Sequence, residues 1–176
     1  MLNVEDAALV VIDVQGKLAQ LMHEKEVLFD NVKRIIKGAQ VLKVPILLTE
    51  QNPAGLGHTL PDIASLLDVE AIAKFHFSCC GEGAFMQALE GLGRRQILLA
   101  GIETHVCVYQ TAADLVRLGY DVHVLADAVS SRAESNKRMG LEKMKDAGAN
   151  LTSVETALFE LLKVARGEKF KQVIKI

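Results

Sequence analysis

The run Ala8-Leu9-Val10-Val11-Ile12-Asp13-Val14 is unbroken apolar sequence until a single carboxylate interrupts it. Val, Ile and Leu in succession, without polar alternation, mark a strand covered on both faces, which means a parallel sheet between two helical layers. Segments of the same kind recur outward at Pro45–Gln51, Glu70–Phe75, Gln96–Ile102, Asp121–Ala126 and Leu151–Glu155. Stretches of helical period lie between them. Asn31–Lys43 sets Val32, Ile35, Ile36, Ala39 and Leu42 on one face, and Glu82–Leu92 does so with Phe85, Ala88, Leu89 and Leu92. His105–Leu118, Glu134–Ala147 and Thr156–Ala165 continue the pattern. Gly93, Gly119 and Gly148 fall just past helical ends, where a left-handed residue is wanted. Strand–helix alternation with short connections predicts an α/β fold: three α/β/α layers around a doubly wound, mostly parallel, Rossmann-like sheet of about six strands.

The rest of the composition narrows the class. At roughly 150 residues per domain, 176 residues imply a single domain over residues 1–176. No repeat, linker or low-complexity tract divides them. Half of the residues are hydrophobic and 24% are charged, which excludes a disordered chain. Charge nearly cancels, 20 basic against 22 acidic, giving −2. With no basic stripe and no Trp, the expected partners include neither nucleic acid nor a membrane surface. Ala7–Ile12 and Ile97–Ile102 are the longest apolar runs, far short of the ~18 residues of a membrane span. The acidic start, Met1 to Asp6, lacks the basic region of a signal peptide. Cys79, Cys80 and Cys107 are too few for a disulfide framework and point to a reducing compartment. A cytoplasmic protein is the expectation.

In doubly wound sheets ligands bind beyond the carboxyl ends of the strands. Asp13-Val14-Gln15, Thr49-Glu50-Gln51, Lys74-Phe75-His76 and Glu103-Thr104-His105-Val106-Cys107 occupy those ends, so an acid, a lysine and a cysteine share one crevice. Cys107, at a strand end and in a first helical turn, is either a small core residue or a thiol whose thiolate the helix start stabilises. Asp13 is either a cap or a general base for that thiol. Lys74, inside an apolar run, needs a carboxylate mate such as Asp13, or else snorkels from an edge strand. His76 and His105 lie near enough to touch a substrate, although core or surface roles are the simpler reading. The loop Asn52–Leu60, with Pro53, Gly55 and Gly57, reads as a lid, a site wall or a crossover. HExxH, paired CxxC and P-loop patterns are absent, and Gly81-Glu82-Gly83 fails as a dinucleotide fingerprint because Met86 takes the third glycine's place.

The order and spacing of four pieces carry a resemblance over essentially the whole length. They are Leu9–Gln15, Ala73–Ser78, Leu99–Val108 and Asp127–Arg132. Together they resemble the isochorismatase-like cysteine hydrolases, and Thr49–Pro53 through Gly55–Gly57 most resembles the isochorismatase-domain-containing subgroup. The resemblance implies a catalytic triad of Asp13, Lys74 and Cys107. It also implies a cis peptide at Ile102–Glu103, which turns the Glu103 N–H toward that of Cys107 as an oxyanion hole. Related nicotinamidases carry an Asp-x-His metal motif where this chain has Glu50-Gln51-Asn52, so no metal and no cofactor are expected. True isochorismatases lack the nucleophilic cysteine, so Cys107 favours acyl chemistry over vinyl-ether hydrolysis. The expectation is a hydrolase of a small amide, carbamoyl or related acyl compound, working through a thioester. Gln15, His76 and His105 are candidate substrate contacts. The alternatives are a catalytically silent binding or assembly protein and a thiol-redox protein using Cys79 and Cys80. The apolar tail Phe170–Ile176, which needs a cover, and the resemblance both point to a homo-oligomer.

Overall fold

The computed structural model describes residues 1–176. Its six strands are β1 (Ala7–Ile12), β2 (Ile46–Gln51), β3 (Ile72–Lys74), β4 (Gln96–Ile102), β5 (Asp121–Ser130) and β6 (Asn150–Thr152). They form one sheet in the order β3-β2-β1-β4-β5-β6, with every pairing parallel. The chain winds outward from β1 through β2 to β3, then crosses back to β4 on the other side of β1. The β1–β4 boundary is therefore the switch point at which such sheets bind ligands. Register sets the level of the crevice floor: Ile12 lies beside both Thr49 and Gly101, and Gln51 lies beside Lys74.

Alternate residues of the strands face opposite layers, as the period of two requires. Leu9, Val11, Leu98 and Ala100 enter one core with α2 (Lys25–Leu42), α8 (Val154–Leu162) and α9 (Glu168–Val173). Val10, Ile12, Ile97 and Leu99 enter the other with α5 (Gly83–Leu92), α6 (Tyr109–Arg117) and α7 (Glu134–Asp146). Three short helices, α1 (Gly16–Ala19), α3 (Pro53–Leu56) and α4 (Pro61–Ala64), lie in the connections near the strand ends.

Several boundaries depart from the sequence reading. Helix α2 starts at Lys25, not Asn31, and its first turns already bury Leu28 in the core. Strand β5 runs on to Ser130 instead of stopping at Ala126. A register shift between Leu99 and Gly101 lets Val129 and Ser130 pair with β4 again. Asp127, just past the expected strand end, is accommodated inside β5, where its carboxylate accepts the Val154 N–H at the start of α8. The tail folds back as α9, burying Val173 against α2 and α8 while leaving Ile174 half exposed. The segment Asn52–Leu60 holds α3 and is tied down at several points.

Gly101 is required where the two central strands meet above the crevice. Its φ is +121°, and a Cβ there would lie 2.0 Å from the Ile12 carbonyl oxygen. Gly16 does the same for the loop, since a Cβ would lie 1.9 Å from the Leu56 carbonyl oxygen.

Candidate functional site

The chain leaves β1 at Asp13, whose φ of 53° is left-handed, a conformation that short polar residues tolerate best. The turn points its carboxylate back into the molecule, where the side chain is 2% exposed. The Asp13 N–H donates to the Thr49 carbonyl at 3.2 Å, and the Thr49 hydroxyl donates to Asp13 Oδ1 at 2.8 Å. The other oxygen, Oδ2, lies 2.7 Å from Lys74 Nζ and accepts no aligned hydrogen bond.

Lys74 is completely buried at the end of β3. Besides Asp13, its ammonium meets Gln51 Oε1 at 2.6 Å, the Phe77 carbonyl at 3.1 Å and the His76 carbonyl at 3.2 Å. Three ammonium protons thus face four acceptors, a full complement for a buried cation. Burial alone would lower its pKa, but the Asp13 charge and the nearby thiols outweigh burial and raise it above the ordinary 10.5. Lys74 is a charged lysine paired with Asp13, not a snorkelling edge residue.

Cys107 lies in a π-helical turn, Thr104–Val108, that follows a cis peptide at Ile102–Glu103. Cys107 is 7% exposed, and the charges of Asp13 and Lys74 both act on its thiol. Asp13, Lys74 and Cys107 therefore share one buried pocket. A thiolate stabilised by the helix start is corrected at this point. Burial first, and then the Asp13 charge, push the thiol up to about 12, with Lys74 opposing. Helix α6 proper begins only at Tyr109, so desolvation and a neighbouring anion dominate over its weak terminal dipole. The resting group is the neutral thiol.

The other residues singled out from sequence are more scattered. Gln15 is fully buried with its amide wholly engaged: Nε2 donates to the Gln51 and Gly57 carbonyls, and Oε1 accepts the Gln51 N–H. That makes it a brace between β2 and the loop. His76 turns its ring outward to Glu82 at 2.8 Å and serves Lys74 only through its carbonyl. His105 is half-buried with Nδ1 2.9 Å from the Ser131 hydroxyl. The Glu103 carboxylate accepts from the Arg132 N–H and Nε, tying the β4 exit to the segment after β5.

Two participants were overlooked in the sequence, Thr49 and Gln51. The signal was present, because both are polar at the carboxyl end of a strand adjacent to β1. Glu50, between them, is also buried. Its oxygens accept the Thr59 N–H and hydroxyl at 2.6 and 2.8 Å and meet the His58 ring at 2.9 Å. Burial pushes its pKa up, but these donors prevail and hold the carboxyl below its ordinary range. Glu50 thus latches the loop Asn52–Leu60 to β2, and no three of the His, Cys, Asp and Glu side chains converge as metal ligands would. Cys79, Cys80 and Cys107 are free thiols.

A doubly wound parallel sheet with a buried acid, lysine and cysteine at its switch point defines an α/β scaffold of the hydrolase type. The isochorismatase domain profile matches residues 7–156. The chain belongs to the isochorismatase family. It is 36% identical to isochorismatase domain-containing protein 2 of Xenopus laevis over 99% of this chain and 85% of that protein. The structure of the MAR1 ribonuclease from Caenorhabditis elegans superposes with a TM-score of 0.92 at 36% identity, covering 99% of this chain and 90% of that one. YcaC from Escherichia coli, described as an octameric hydrolase of unknown specificity, superposes with a TM-score of 0.92 at 26% identity, covering 99% and 91%.

Proposed function

We propose that this single-domain protein is a cysteine-dependent hydrolase of small amide, carbamoyl or related acyl compounds. The observation that carries the reading is the 2.7 Å contact between Asp13 Oδ2 and Lys74 Nζ, buried where both charges act on the Cys107 thiol. A carboxylate beside a neutral thiol is a general base placed against a nucleophile.

In the proposed cycle Asp13 Oδ2 removes the S–H proton as sulfur attacks the carbonyl carbon. The oxygen of the tetrahedral intermediate is received by the backbone N–H groups of Glu103 and Cys107. Removing one such donor typically costs about 2.7–4 kcal/mol of transition-state stabilisation. Asp13 then gives its proton to the departing amine as the C–N bond breaks, leaving a thioester on Cys107. Water attacks the thioester and its proton passes to Asp13; as the C–S bond breaks, Asp13 returns that proton to sulfur, and the acid leaves with the thiol and the carboxylate restored. Lys74 holds Asp13 in place between these transfers and offsets negative charge as it develops. No cofactor enters, and the partner is a small-molecule substrate. By analogy with the octameric Escherichia coli relative, we place the chain in a homo-oligomer, and its three free thiols favour a reducing compartment such as the cytoplasm.

A second reading, hydrolysis of RNA, is favoured by the description of the Caenorhabditis elegans relative as a ribonuclease. Against it stand the net charge of −2 and a nucleophile only 7% exposed, which a polynucleotide backbone reaches poorly. One experiment separates these readings and the silent-binder alternative. Purified protein is offered a panel of primary amides, carbamoyl compounds and single-stranded RNA, with intact-mass detection of an acyl adduct. Turnover of an amide with a Cys107 adduct, abolished in Cys107→Ala with the fold retained, is the expected result. RNA cleavage that survives Cys107→Ala, or wild-type amide turnover in that variant, overturns the proposal.

A further inference from the structure

We infer that Thr49 is a positioning residue for the reaction: its hydroxyl holds Asp13 Oδ1 so that Oδ2 alone faces Lys74 and the thiol. The inference rests on the reading of Asp13 as the proton acceptor. Thr49 is completely buried at the crevice floor, with Ile12 as its register partner in β1. Two hydrogen bonds run between it and Asp13 in opposite senses. The Asp13 N–H donates to the Thr49 carbonyl at 3.2 Å, and the Thr49 hydroxyl donates to Oδ1 at 2.8 Å. This two-point clamp fixes the left-handed backbone and the carboxylate rotamer together.

The direction of the hydroxyl proton is fixed as well. A carboxylate only accepts, so the Thr49 O–H must donate to Oδ1. Cys79 Sγ lies 3.9 Å from Thr49 Oγ1 and donates from the other side, and its own N–H is anchored on the Thr111 hydroxyl at 3.0 Å. Burial and then the Asp13 charge push the Cys79 thiol up to about 12, so it remains a donor throughout the working pH range. The chain S–H to O–H to carboxylate therefore runs one way, toward Asp13. It leaves Oδ2, the oxygen paired with Lys74 at 2.7 Å, as the proton acceptor.

The consequence is a pH effect with a definite sign. The titratable groups around Asp13 are Lys74 from β3, Cys79 from the 3-10 turn at Cys79–Gly81, and Cys107 from the π turn. A hydroxyl donated to a carboxylate favours the ionised form, so its loss makes the base protonate at higher pH. The test is alkylation of Cys107 by iodoacetamide between pH 3 and 9, read on its own peptide by mass spectrometry. It needs no known substrate. Thr49→Val should move the acid limb of the alkylation rate upward by about one pH unit, and Thr49→Ser should restore it. A role in packing alone would change the melting temperature without moving the limb. Should Thr49→Val fail to fold, Thr49→Ala removes the same hydroxyl with less bulk.

Asp13→Asn separates the two levels of the argument. If it abolishes the limb while the Thr49 variants leave the limb in place, Thr49 is refuted and the general base stands. If Asp13→Asn keeps the wild-type limb, both the base and its positioning residue are refuted. A Thr49→Ser shift as large as that of Thr49→Val also overturns the inference.

Discussion

Replacing Lys74 with methionine should be among the most destabilising single substitutions in this chain. The ion pair at 2.7 Å carries about 6 kcal/mol of attraction at an effective dielectric constant near 20, since 332/(20 × 2.7) is about 6. Removing both charges from water costs several kcal/mol each, so the pair contributes little net stability compared with a well-packed apolar pair. Deleting one partner is a different matter. Lys74→Met strands the Asp13 carboxylate in a pocket where it is 2% exposed, and removes the donor from Gln51 Oε1 and two carbonyls. Breaking a buried pair typically costs about 3–5 kcal/mol. At about 2–4 °C per kcal/mol for a chain of this length, the midpoint should fall by about 10 °C.

The assay is urea and thermal unfolding of the wild type, Lys74→Met, Asp13→Asn and the double variant. Asp13→Asn/Lys74→Met leaves no buried charge and should lose at least 2 kcal/mol less than the sum of the single effects. The pH dependence has a checkable sign. Lys74 titrates above its ordinary 10.5 in the folded protein, so its contribution is complete below about pH 10.5 and is lost as pH rises beyond that. A Lys74→Met variant within about 1 kcal/mol of wild type, or strictly additive effects in the cycle, would falsify the buried-pair account.

Gly101→Ala should reduce folded yield and stability by more than about 3 kcal/mol, because its Cβ would lie 2.0 Å from the Ile12 carbonyl oxygen at a positive φ; circular dichroism melts decide it. Dialysis against a strong chelator should leave turnover of any amide substrate unchanged, since the Glu50 oxygens are already engaged by His58 and Thr59. Activity lost on chelation and restored by zinc, iron or manganese would refute that.

The sequence revealed the sheet because its central strands are buried on both faces and so are continuous in apolar residues. Where burial is one-sided or broken, legibility failed for a matching reason. Edge strand β3 keeps only Ile72–Lys74, and Asp127 hid the second half of β5 because a carboxylate inside a strand reads as an end until its helix-capping partner is seen. Asp13, Lys74 and Cys107 could be placed in one crevice from strand ends alone, since topology brings those ends together whatever the side-chain details. What periodicity leaves out is which polar residue faces which. Gln15 and Gln51 are equivalent as strand-end glutamines, yet one braces a loop and the other receives the Lys74 ammonium.

The neutral resting thiol follows from the same charge count. Asp13 and Lys74 cancel, so a thiolate at Cys107 would place two anions against one cation in a pocket nearly closed to water. Such a state is disfavoured until something else absorbs negative charge. A substrate carbonyl supplies that outlet, because electron density arriving on sulfur moves on to an oxygen held by backbone N–H groups. In the proposed cycle, proton transfer to Asp13 is therefore tied to attack on the substrate. In that cycle the neutral thiol is also less open to oxidation between turnovers, since oxidation proceeds through the thiolate. A depressed cysteine pKa would give a faster thiol but forfeit that protection; burial and the Asp13 charge instead push the Cys107 thiol up to about 12.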